Sequence, residues 1–183
     1  MERHTLSLLV ENKPGVLARI AGLFSARGYN IVSLVVAETE NSTISRMTIV
    51  VEVPEARILE QIIKQLRRLI NTISVVDLTN LDFLERELAL VKIKCDGDIR
   101  QTLLPVLIQY SAEIIKYEDG QAIVEICADP KKVKGFLDEL KPFGIVELMR
   151  TNKVAMLWSL KKSSRANLDV ALQKIASKIV SAV

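Results

Sequence analysis

The chain has 183 residues, 49% of them hydrophobic and 26% charged, which suffices for a buried core and argues against global disorder. The formal net charge of +3 is concentrated at the end: Lys161, Lys162, Arg165, Lys174 and Lys178 against Asp169 give residues 161–183 a net +4 and leave the first 160 at −1. A body without net positive charge, and with only 4% aromatic residues, has neither the electrostatic drive nor the stacking platform of a nucleic-acid binder.

From His4 to Glu11 the chain alternates, with Leu6, Leu8 and Val10 on one face and Thr5, Ser7 and Glu11 on the other. That is the pattern of a half-buried strand. Val16, Leu17, Ile20, Leu23 and Phe24 follow helical spacing. Residues 31–39 read as a second strand, "ETENST" as a hairpin loop, and Met47, Ile49, Val51 and Val53 as the inward face of a third strand. Leu59, Ile62, Ile63, Leu66, Leu69 and Ile70 form a helical stripe, and "ISVVDL" closes the unit as a strand. The order β-α-β-β-α-β predicts a ferredoxin-like α+β domain over residues 1–78, with two helices on one face of an antiparallel sheet.

Residues 79–86 read as a linker, and the pattern then repeats over 87–160. "ELALVKIKC" predicts a strand and residues 98–110 a helix. "AEIIKYE" and "QAIVEICA" predict a hairpin turning at Asp119-Gly120. Val133, Phe136, Leu137 and Leu140 mark a helix capped by Asp129 with Pro130 at its first position. "GIVELMR" and "VAMLWSL" predict two closing strands. Pro105 falls inside the third helix, where it costs ~3 kcal/mol, so a kink or a late start is expected. The tail, 161–183, reads as a basic amphipathic helix with Leu168, Leu172, Ile175 and Ile179 on one face and Ser164 or Asn167 as its cap.

Catalytic machinery is sparse. His4 is the only histidine, which excludes a multi-histidine metal site and leaves a serine-histidine-aspartate arrangement without partners; it is expected to be a solvated strand-end residue. In "CDGDI", Asp98 as a helix cap explains the stretch better than a calcium loop, since two carboxylates are too few. No glycine-rich dinucleotide or phosphate loop occurs. Glu38 and Glu40 flank a hairpin and read as solvated. Cys95 and Cys127 have no metal-type spacing, read as buried, and are expected at opposite edges of their sheet, too far apart to bridge. No apolar run reaches the roughly 20 residues of a membrane span and no signal-peptide layout opens the chain. Reduced thiols in the cytoplasm, with neither membrane nor nucleic acid as partner, are the expectation. A well-patterned chain with no acid-base pair or cofactor loop points to a binding or regulatory module.

The stretch "NKPGVLARIAGLFSARGYNI", 12–31, frames one helix with a proline, glycines and asparagines. Asn12 as a cap, Gly28 as a left-handed stop and Asn30 as a turn residue account for it in structural terms. A helix start, however, also offers unpaired N–H groups and a partial positive charge, and Gly15 lets a ligand approach the backbone. Ala18, Gly22 and Ser25 form a small-residue face, and Gly22 costs ~1 kcal/mol against alanine in a helix interior, which suits close approach by another backbone.

"ENKPGVLARIAGLFSARGYNI" together with "SRMTIVV" resembles the ACT domain of the small, regulatory subunit of acetolactate synthase, also called acetohydroxyacid synthase. The likeness extends more loosely through "RELALVKI" and "VELMRTNKVAMLWSL" to about residue 160 and stops before the tail; some members of the family replace Pro14. The resemblance implies a non-catalytic partner of a large thiamine-diphosphate enzyme of branched-chain amino-acid synthesis, which it activates and makes sensitive to feedback inhibition by valine. Thiamine diphosphate, Mg and FAD are expected in that catalytic subunit and no cofactor in this chain. ACT domains of this kind pair as homodimers, with effector sites at the interface: the loop at Asn12, Pro14, Gly15, Val16 and Leu17 comes from one copy, and Asn30 with Ile31 from the other. Valine's carboxylate would meet the N–H groups of residues 15–17, its ammonium the Asn12 and Asn30 side chains or nearby carbonyls, and its isopropyl group Leu9, Leu17 or Ile31. Leucine or isoleucine would bind more weakly. The rival reading is a stand-alone tandem ACT-type amino-acid sensor or transcriptional regulator, although no helix-turn-helix is visible.

Overall fold

The computed structural model describes residues 2–95 and 99–159. These residues divide into two compact units, one holding 2–84 and 155–159, the other 85–95 and 99–154.

In the first unit, β1 (Glu2–Glu11), α1 (Val16–Ser25), β2 (Asn30–Glu38), β3 (Ile44–Val53), α2 (Ala56–Leu66) and β4 (Thr72–Asp77) follow one another. Their antiparallel sheet has the order β2-β3-β1-β4, which leaves β2 and β4 at the edges. The alternation of β1 and β3 sends Leu6, Leu8, Val10, Met47, Ile49 and Val51 into one core with Ile20 and Phe24 of α1 and Ile62 and Leu66 of α2. Register is firm because a slip of one residue would turn every one of these side chains outwards. Thr5, Ser7 and Thr48, on the opposite face, are buried too, so β1 is covered on both sides rather than half-buried. The α2 helix ends at Leu66, and Ile70 lies beyond it, 78% exposed, outside the stripe predicted for it.

The second unit repeats the order with β5 (Asp82–Lys94), α3 (Ile99–Tyr110), β6 (Glu113–Glu118), β7 (Gln121–Ala128), α4 (Pro130–Leu140) and β8 (Ile145–Ser159), and its sheet runs β6-β7-β5-β8. Position for position this is the same topology. Ala89, Val91, Ile93, Val124 and Ile126 pack with Leu103, Leu107, Phe136 and Leu140. The Tyr110 and Phe136 rings meet at 5.5 Å between centroids and 52° between planes, joining α3 to α4. Asp129 caps α4 as predicted, accepting from the Lys132 N–H at 2.9 Å. Asp119 and Gly120 both take positive φ, 50° and 69°, in the β6–β7 turn.

Several expectations need correction. The stretch 79–86 is mostly strand, because β5 starts at Asp82. The two predicted closing strands are the single β8. Its polar stretch "RTNK" stays in the strand: Thr151 Oγ1 accepts from the Leu88 N–H at 3.1 Å, and Asn152 absorbs the irregularity at φ 58°. Helix α3 continues through Pro105, whose missing N–H leaves the Gln101 carbonyl unpaired within the helix at an exposed position. His4 is buried, 7% exposed, with Nδ1 3.3 Å from Thr79 Oγ1. Cys95 is buried but Cys127 is exposed. Cys127 pairs with Leu88 at one end of the β5–β7 ladder while Cys95 follows Lys94 at the other, which keeps them apart as expected. Asp98 as a helix cap and the tail 161–183 lie outside the described residues.

Candidate functional site: the entry to the first helix

The chain leaves β1 through a tight turn. The Asn12 N–H donates to the Thr43 carbonyl at 2.7 Å, and the Lys13 N–H to that of Glu11 at 3.0 Å. Pro14 is exposed, and Gly15 then takes φ +81° and ψ −8° as the N-cap of α1. A Cβ at Gly15 would meet nothing within 4 Å. Glycine is therefore demanded by the left-handed backbone and not by crowding.

Gly15 has no side chain, and no other side chain caps α1. The Val16 N–H is taken by the Lys13 carbonyl at 3.3 Å, and intrahelical bonding starts with Arg19 N–H to Gly15 at 2.9 Å. Among the described residues, no bond takes the N–H groups of Gly15, Leu17 or Ala18, all three at exposed positions. They form a compact group of donors at the positive end of the helix dipole, suited to a carboxylate. Of the residues predicted here, Val16 contributes no side chain, because it is 5% exposed and belongs to the core. Leu17 is 44% exposed beside the open N–H groups and offers an apolar surface.

Asn12 is not the cap of α1. Its Nδ2 donates to Glu38 Oε1 at 3.0 Å and to the Ser42 carbonyl at 2.9 Å, which ties the helix entry to the β2–β3 turn. Glu38 thus joins the site, although the sequence reads it as merely solvated. Nearby cations are engaged: Lys13 Nζ lies 3.2 Å from Glu11 Oε2, and Arg19 Nη1 donates to Asn71 Oδ1 at 2.8 Å.

The other predicted half lies elsewhere in the chain. Asn30 opens β2 opposite Glu52, exposed, and Ile31 is opposite Val51, half-buried against the core. Glu38 ends the same strand opposite Ser45. At about 3.3 Å per residue the two ends of β2 are ~26 Å apart. One chain therefore brings Asn12, Gly15, Leu17 and Glu38 together and leaves Asn30 at the far end of an edge strand. Between them, α1 ends in two bonds, Tyr29 N–H to Phe24 at 3.1 Å and Gly28 N–H to Ser25 at 3.0 Å, with Gly28 at φ +67°. Ala18, Gly22 and Ser25 are exposed along α1. No group of three metal-ligating side chains occurs among the described residues.

Two family models match the chain, the AHAS small subunit-like ACT domain over residues 6–74 and the small subunit of acetolactate synthase over 86–158. The chain belongs to the acetolactate synthase small-subunit family. A probable acetolactate synthase small subunit of Archaeoglobus fulgidus is 46% identical over 160 residues, 87% of this chain and 99% of that protein. The acetolactate synthase small subunit of Mycolicibacterium smegmatis is 42% identical over 153 residues, 84% of this chain and 89% of that protein. The crystal structure of an acetolactate synthase small subunit from Thermotoga maritima superposes with a TM-score of 0.80 at 34% identity, covering 87% of this chain and all of that one. The small-subunit fold of two ferredoxin-like α+β units, the first of them an ACT domain, is thus established for this chain. Residues 161–183 extend past both family models.

Proposed function

We propose that the chain is the regulatory, non-catalytic subunit of acetolactate synthase: it activates the large thiamine-diphosphate catalytic subunit and makes it sensitive to valine. The observation that carries this reading is the separation of the two half-sites along β2. An open helix entry lies at one end of an edge strand, and Asn30 at the other. Two copies pairing antiparallel through β2 bring the partner's Asn30 and Ile31 to the entry loop of the first, twice over by symmetry. The effector's carboxylate then sits on the N–H groups of Gly15, Leu17 and Ala18, and its side chain against Leu17 and Ile31. A ligand bound across two chains stabilises one packing of the dimer over others, and this preference is what reaches the catalytic subunit. Leucine and isoleucine bind less tightly, since one methylene is worth only about 1–3 kcal/mol. Thiamine diphosphate, Mg and FAD belong to the catalytic subunit.

Reconstitution tests this. The pure chain with pyruvate, thiamine diphosphate, magnesium and FAD forms no acetolactate. Added to the catalytic subunit, it raises the rate, and valine suppresses the increase. Gly15→Asp places a carboxylate where the effector's own would sit, and aspartate tolerates the left-handed backbone better than most residues, so the variant folds and valine inhibition is lost. Acetolactate formation by the chain alone, or full valine inhibition of the Gly15→Asp complex, contradicts the proposal.

A further inference from the structure

We infer that Glu38 is a positioning residue for the effector's ammonium group, acting through the Asn12 carboxamide. The inference rests on the effector site proposed above and assigns within it a role to a residue 26 positions away in the chain. Both Nδ2 hydrogens of Asn12 have acceptors, Glu38 Oε1 at 3.0 Å and the Ser42 carbonyl at 2.9 Å. Turning the amide over would press Oδ1 against a carboxylate and a carbonyl, two acceptors with no hydrogen between them. The orientation is therefore fixed by chemistry: the nitrogen faces the β2–β3 turn, and Oδ1 is the group left over. Among the described residues Asn12 Oδ1 has no hydrogen-bond partner, and the residue is exposed. An asparagine free to rotate presents donor and acceptor alike; one held by Glu38 presents an acceptor only. Three residues further on, α1 presents donors only. A site with an acceptor beside a bank of N–H donors matches an α-amino acid, whose ammonium donates and whose carboxylate accepts, and it disfavours acids that lack the ammonium.

The test uses the reconstituted complex of this chain with its catalytic subunit and reads the valine concentration for half-inhibition. Removing one such hydrogen bond, worth about 0.5–1.5 kcal/mol, converts to a roughly 2- to 12-fold rise for Glu38→Ala. Glu38→Gln keeps an oxygen that accepts from Asn12 and stays within about twofold of the parent. The double variant Asn12→Ala with Glu38→Ala is no weaker than Asn12→Ala alone, because Glu38 acts only through the amide. A Glu38→Gln loss as large as that of Glu38→Ala overturns the inference in favour of direct charge attraction. So do additive losses in the double variant, or a Glu38→Ala complex with unchanged half-inhibition. Gly15→Asp, run alongside, separates the two levels. If it abolishes inhibition while Glu38→Ala does nothing, only the role of Glu38 falls. If it leaves inhibition intact, the site itself is misplaced and the inference falls with it.

Discussion

Each of the two units carries one glycine inside a helix, and the two are there for different reasons. In α4, a Cβ on Gly135 would lie 3.0 Å from Tyr110 Oη and 3.3 Å from Tyr110 Cε1, so the glycine makes room for the aromatic contact that joins α3 to α4. In α1, a Cβ on Gly22 would meet nothing within 4 Å. A glycine there costs ~1 kcal/mol of helix stability and gives the single chain nothing in return. The helix starts differ in the same sense. α4 is closed by its own Asp129, while α1 opens on a left-handed Gly15 with no cap. Lack of a cap is not special by itself, since α2 has none either; there, however, the N-cap residue is Glu55, whose own charge complements the helix end. Two units of one topology thus diverge in purpose. In the second, α4 is capped by its own chain and its glycine faces Tyr110; in the first, α1 is open at its start and along its exposed side, where the proposed second chain and effector would complete it.

The largest expected effects should fail to distinguish the units. Phe24 and Phe136 are each about 1% exposed or less, at the centres of equivalent cores. Phe24→Ala and Phe136→Ala should each cost about 3–5 kcal/mol, read as lost amide-exchange protection in the strands of the unit concerned. A loss below 1 kcal/mol in either would mean that one core is not closed. Gly22→Leu sharpens the contrast. The free chain has space for the side chain, so the fold persists, but the close approach of a second copy is blocked. Sedimentation should show the dimer dissociating at concentrations at least tenfold higher than for the parent; an unchanged dimer would mean that α1 faces no partner. The alanine pair is subtler. Gly22→Ala should raise the unfolding free energy of the first unit by about 1 kcal/mol, whereas Gly135→Ala should give no gain, because Tyr110 must yield. Equal gains from both would erase the distinction.

The smallest effect belongs to Glu147, paired with Lys92 at 2.7 Å on the second sheet. The hydrogen bond and charge of Lys92 hold the Glu147 carboxyl below the usual carboxylate range. A depressed pKa means that the contribution is present above the ordinary carboxylate pKa and is lost as pH falls through the lowered one. The pair is well solvated, so Glu147→Gln should leave stability at neutral pH nearly unchanged and flatten only a small part of the acid limb. A large drop at neutral pH would show that the pair does more than its exposure implies.

Local pattern was enough for most of the fold. Alternation gave β1 and β3, a 3.6-residue stripe gave α1, and Asp129-Pro130 and Asp119-Gly120 marked a cap and a turn through chemistry confined to a few residues. What failed depended on distant partners. The buried His4 meets Thr79, 75 positions away, and Glu38 holds Asn12 across 26. A polar quartet at Arg150–Lys153 resembles a turn until Leu88 is known to pair beside it. Cys127 could have been read correctly: in "QAIVEICA" the buried residues are Ala122, Val124, Ile126 and Ala128, which puts Cys127 on the other face. At the proposed effector site, Gly15 is readable from Pro-Gly before a helical stripe, and Asn12 stands out for its position. That its amide is fixed by Glu38, and that Asn30 is a strand's length away, required the sheet.

The claim that the effector site is shared between two chains is tested most directly by mixing two defective chains. Gly15→Asp spoils the entry loop, and Asn30→Ala removes a polar partner on the opposite half. In a mixed dimer one site carries both defects and the other carries neither. Equilibrium dialysis of valine against the catalytic complex reconstituted from equal amounts of the two variants, dissociated and reassembled together, should recover parent-like affinity in about one quarter of the sites. Neither variant alone should show any. If mixing recovers no parent-like site while both chains still dimerise, the residues act within one chain and the shared site is wrong.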